Sequence, residues 1–137
     1  MNLTNKVLKL LGMKLAADML ENPVPSEQKL FRAILTLALE DVLSNSQGRH
    51  ESVVKAEAHD WFMSDSEDYK NVCYIAGLDS DWVRERYVKA LDNGQVVFTM
   101  KQHLQVKYTR LYEDLRAAND TGHRKLIQKD IDKLRQK

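Results

Sequence analysis

The stretch Tyr69 to Tyr87, YKNVCYIAGLDSDWVRERY, decides the fold. An apolar-periodic run stops at Gly77, and a second run starts two residues later at Asp79 and Ser80. Glycine tolerates the left-handed backbone that ends one helix, and an Asp or Ser side chain caps the next. The spacing predicts two helices meeting at a tight corner. Val72 is apolar, Cys73 is small where the helices cross, Ala76 precedes the turn, and Leu78 and Val83 are expected anchors. These are the requirements of a helix-turn-helix. One position departs: the late apolar site falls on Arg86, with Tyr87 beside it.

Working outward, helix formers dominate the 137 residues, and only two prolines and five glycines interrupt them. The expectation is an all-α fold: a helical domain over 1–94, with the helix-turn-helix at 65–91, then a connector and helical hairpin over 95–137. A first helix is expected from Leu3 to Leu20, before the prolines Pro23 and Pro25. Ser26 is expected to cap a second, central helix that buries Leu30, Ile34, Leu37 and Val42. Val53, Val54, Ala58, Trp61 and Phe62 mark a third. Ser64 and Glu67 have capping-box spacing, which starts a fourth near Asp65. The fifth ends near Leu91. QVVFTM, Gln95 to Met100, reads as a strand, an extended connector or the first turn of the next helix. Leu104, Tyr108, Leu111 and Leu115 continue the helical pattern, and after NDTG so do Ile127, Ile131 and Leu134. Their seam resembles a short coiled coil and suits self-association.

Charge is unevenly placed. Residues 101–137 hold ten Lys/Arg against five Asp/Glu, a balance of +5, which leaves −4 for residues 1–100. Neutralising phosphates dominates affinity for nucleic acid, so double-stranded DNA is the expected partner. On the helix after Gly77, Val83, Tyr87 and Leu91 form the apolar stripe, leaving Ser80, Asp81, Arg84 and Glu85 toward a groove. Arg84 is expected to read guanine, while Arg86 and Lys89 meet phosphates. Lys101, Lys107, Arg110, Arg124 and Lys125 are expected to contact phosphates, or RNA polymerase or another protein. Trp82 lies off the Val83 stripe and is a candidate partner contact.

The segment Glu57 to Tyr87 resembles small phage- and prophage-borne helix-turn-helix proteins. It carries an aromatic pair at Trp61, a Ser/Asp cap, and the run Val72, Cys73, Ala76, Gly77, Leu78, Asp79, Val83 and Arg84. Ser80 stands where such proteins often have proline. The resemblance implies a DNA-binding transcriptional regulator of activator or antiterminator type, or a small terminase subunit that forms oligomers. A non-catalytic protein-interaction module is the third expectation.

Other chemistries find little support. His50, His59, His103 and His123 have no i, i+3 or i+4 pairing, so no metal is expected. No nucleophile elbow, phosphate loop or convergent carboxylate pair is present, so neither an enzyme nor a cofactor is expected. A lone Cys73 fits a reducing cytoplasm. Lys9 and Lys14 interrupt the apolar N-terminus, which argues against a signal sequence or membrane anchor.

Overall fold

The computed structural model describes residues 3–12 and 25–135, and of residues 3–5 and 8 the backbone alone. It is all-helical, with seven helices among the described residues: α1 (Leu3–Leu11), α2 (Ser26–Leu43), α3 (Arg49–Met63), α4 (Glu67–Ile75), α5 (Ser80–Asp92), α6 (Met100–Ala117) and α7 (Thr121–Arg135). No strand occurs among the described residues, and Gln95 to Thr99 is an irregular connector between α5 and α6. No described helix is long and apolar enough to cross a membrane.

The chain divides into two compact units, Met1–Asn45 with Val54–Val97, and Ser46–Val53 with Phe98–Lys137. Composition places a boundary near residue 94. It does not reveal that residues 46–53 join the C-terminal unit.

In the first unit α1 packs on α2 and α5, and α4 packs on α2 and α5. The core takes Leu10 and Leu11 from α1, Leu35, Leu39, Val42 and Leu43 from α2, Phe62 from α3, Tyr69 and Cys73 from α4, and Val83, Tyr87 and Ala90 from α5. Its centre is aromatic. Phe62 stacks on Tyr87 at 4.8 Å between ring centroids, and Trp61 meets Tyr69 edge-on at 5.0 Å.

Several expectations need correcting. The first helix ends at Leu11, where Gly12 takes φ +94°; the expected continuation through residues 13–20 lies outside the described residues, as does Pro23. Ser26 is not the cap of α2 but its first residue, preceded by Pro25, which offers no side-chain cap. Leu30, Ile34 and Leu37 are 60%, 40% and 59% exposed. Because residues 33–39 of α2 are apolar nearly all round, periodicity alone does not select the buried face. That face is Leu35, Leu39, Val42 and Leu43, and Leu30, Ile34 and Leu37 form a stripe left on the surface.

The second unit is built on the α6–α7 hairpin. Thr99 caps α6 by a reciprocal exchange with Gln102, and the buried Gln102 also donates to Ser46 O at 2.9 Å. Ala118, Ile127 and Ile131 form the core against which Tyr108, Leu111, Tyr112 and Leu115 pack.

Candidate nucleic-acid interface

The α4–α5 corner forms by local chemistry. The cap of α4 is Ser66, whose side chain accepts from Tyr69 N, and not the expected Ser64. Ser64 instead donates to Trp61 O and accepts from Ser66 N, closing the turn after α3. Between them Asp65 adopts φ +53°, a conformation that Asp tolerates better than most residues. At the other end Gly77 has φ +80° and Leu78 N donates to Cys73 O at 2.9 Å, so the chain turns sharply before Asp79 caps α5. Tyr69, fully buried, ties α4 to the start of α5 by donating its hydroxyl to Ser80 O at 2.7 Å. Burial holds the Tyr69 hydroxyl well above the usual tyrosine range and pushes the neighbouring Cys73 thiol up as well.

This geometry consumes the two arginines expected to meet DNA. Arg84 donates from Nε to Phe62 O at 3.1 Å and from one terminal nitrogen to Asp65 Oδ1 at 2.5 Å, and its guanidinium lies 5.5 Å from the centre of the Tyr69 ring. The hydrogen bond from Arg84 is the main reason the Asp65 carboxyl is held below the usual carboxylate range. Arg84 is therefore held against the fold: the left-handed turn at Asp65 supplies the carboxylate that it meets. Arg86 is likewise turned inward, donating to Leu10 O at 3.0 Å, while Tyr87 takes over the late apolar position. Ser80 is half-buried, and so is Trp82. Of the six residues expected to face DNA, Asp81, Glu85 and Lys89 remain exposed, a net negative row at four-residue spacing. A shallow depression of about 480 Å³ beside them is lined by Asp81, Arg84, Glu85, Val88 and Lys89.

The second unit is the opposite. Residues 46–53 and 98–137 hold eleven Lys/Arg against six Asp/Glu. Lys101, Lys107, Arg110, Arg124 and Lys125 are all exposed. Lys129 and Lys133, outside the set expected from the sequence, are exposed too. With Lys125 they recur every four residues along α7, so they share one face at intervals of about 6 Å; that spacing is visible in the sequence. Among the described residues Lys107, Lys125, Lys129 and Lys133 have no ion-pair partner. Arg49 and Arg135 serve the fold of this unit: Arg49 lies 5.6 Å from the centre of the Tyr112 ring, and Arg135 donates to the Tyr112 hydroxyl.

No group of three or more His, Cys, Asp or Glu gathers to hold a metal among the described residues. No protein-family model matches the chain, and neither a curated protein nor a solved structure matches it.

Proposed function

We propose that this protein binds double-stranded DNA through its phosphate backbone, using the exposed cations of the C-terminal unit. Lys107, Arg110, Arg124, Lys125, Lys129 and Lys133 supply the charge, and the α4–α5 pair is scaffold. The observation that carries this reading is the contrast in exposed charge: a lysine row on α7 against Asp81, Glu85 and Lys89 on α5. The resemblance of residues 57–87 to phage helix-turn-helix proteins supports a DNA-associated role. Reading of bases by Arg84 is not carried forward, because its guanidinium is engaged by Asp65 and Phe62 O.

The test is binding to fluorescent duplexes between about 50 and 200 mM salt. Log affinity falls linearly with log salt, and replacing Lys125, Lys129 and Lys133 together with Gln flattens the slope by about 2.7, at about 0.9 per phosphate contact. Unrelated duplexes bind alike. Absence of binding at low salt, or an unchanged slope in the triple variant, rejects the proposal.

A second reading, assembly of the packaging type, is favoured by the exposed stripe of Leu30, Ile34 and Leu37 on α2. Light scattering decides: a ring of eight or more subunits supports packaging, and a monomer rejects it. Crosslinking across a genome distinguishes a regulator, which concentrates at promoters, from a packaging protein, which concentrates at one site.

A further inference from the structure

A concavity of about 400 Å³ in the first unit is lined by Lys6, Lys9, Leu43, Asn45, Gly94, Gln95 and Val97. Its makeup is unlike the rest of a unit whose formal charge is −4, with ten Lys/Arg against fourteen Asp/Glu. Among the described lining residues none is acidic, and two are lysines. The side chains of Lys6, Lys9, Asn45 and Gln95 have no hydrogen-bond or ion-pair partner among the described residues. Asn45, Gly94 and Gln95 are exposed and Leu43 is buried, so polar groups ring an apolar floor.

The backbone here is already committed. Gln95 N donates to Ala90 O at 2.9 Å, and Gly94 N is directed to Leu91 O. Recognition therefore falls to the side chains: two ammonium groups and two amides, all able to donate hydrogen bonds. Behind the rim lies a third cation. Lys55 is fully buried and donates to Val97 O and Ser44 O, main-chain acceptors next in the chain to, or within, the lining. Burial first, and repulsion from Lys6 second, lower its pKa to about 8. Positive charge is thus gathered around one small volume, an arrangement that a bound anion relieves.

We propose that this concavity is a binding site for a small phosphate-bearing anion, held by Lys6 and Lys9 with Asn45 and Gln95 as neutral donors. The size lies at the low end for small-molecule sites, so the ligand is a phosphate monoester or nucleotide and not a polymer. The site belongs to the first unit and is independent of the DNA-binding reading, which rests on the second.

Titration of isotope-labelled full chain with inorganic phosphate, followed by amide chemical shifts, tests it. Chloride at matched ionic strength is the control, and adenosine monophosphate is the second probe. Saturable shifts at Asn45, Gly94 and Gln95 are expected with phosphate and not with chloride. The variant Lys6→Gln/Lys9→Gln loses at least about tenfold in affinity, about 1.4 kcal/mol, while Lys9→Arg keeps it. The Lys125, Lys129 and Lys133 triple variant leaves these shifts intact. Equal shifts with chloride, or shifts spread over every lysine-bearing surface, overturn the proposal. So does a double variant that remains folded by its amide spectrum and binds phosphate as before. Loss of DNA affinity in that variant with no effect on phosphate assigns these lysines to the polymer instead, and equally rejects the site.

Discussion

The two units use the same residue types in opposite ways. In the first, four cations each donate to a main-chain carbonyl where another helix ends. Arg32 reaches Ala76 O after α4, Lys55 reaches Ser44 O after α2, Arg84 reaches Phe62 O in the last turn of α3, and Arg86 reaches Leu10 O in the last turn of α1. The last carbonyls of a helix lack intrahelical partners and carry partial negative charge, so a guanidinium or ammonium there satisfies an acceptor and opposes the dipole. In the second unit, Lys107, Lys125, Lys129 and Lys133 remain in solvent. Counting basic residues therefore does not locate an anion-binding surface. What matters is which cations the fold has already spent on its own carbonyls.

The largest effect is expected at Lys55. Replacing it with Ala removes donors to Ser44 O and Val97 O and leaves a cavity, which costs about 3 kcal/mol in urea unfolding. A loss no greater than that of a surface lysine contradicts its structural role. The pH dependence has a definite sign. Lys55 titrates near 8 when folded and near its ordinary 10.5 when unfolded. Between these values the unfolded chain holds the extra proton, so this residue makes stability rise with pH. Below about pH 8 the charged form is present in both states and the penalty is complete. Buried Tyr69 and Tyr87, whose folded values are raised, act oppositely above about pH 10, so the comparison of wild type with Lys55→Ala belongs between pH 7.5 and 9.5. Wild type gains relative to the variant across that interval.

The next effect is smaller. Arg84→Ala removes the donor to Phe62 O and is expected to cost about 1 kcal/mol in unfolding. Its DNA affinity and its preference among duplexes stay unchanged in the proposed reading. A shift in preference for one duplex over another would restore Arg84 as a base reader and blur the distinction between spent and exposed cations.

Much of this was legible in the sequence. The all-helical fold followed from helix formers and 3.6-residue periodicity, and the corner at Gly77 from one glycine followed by an Asp. The basic C-terminal part followed from charge counting. The roles of Arg84 and Arg86 did not, because a cation that ends a helix distant in sequence leaves no local pattern: Arg86 and Leu10 are 76 residues apart. Asp65 shows the same limit. Its carboxylate captures Arg84 through a left-handed turn that SDSED does not announce. On α2, apolar residues on every side hid the choice between Leu35 with Leu39 and the exposed Leu30 with Leu37.

The smallest effect sharpens the contrast at its other end. Lys129 is exposed and has no ion-pair partner among the described residues. Lys129→Gln is therefore expected to change unfolding stability by no more than about 0.5 kcal/mol, as substitutions at solvated positions do. In the proposed interface the same change lowers the salt slope of DNA binding by about 0.9, one phosphate contact. The pairing of these two readouts carries the argument. Arg84→Ala moves stability and leaves DNA binding alone, and Lys129→Gln does the reverse. If both substitutions moved the same quantity, the units would not differ in how they employ their positive charge, and the assignment of the DNA surface to the C-terminal hairpin would fail with it.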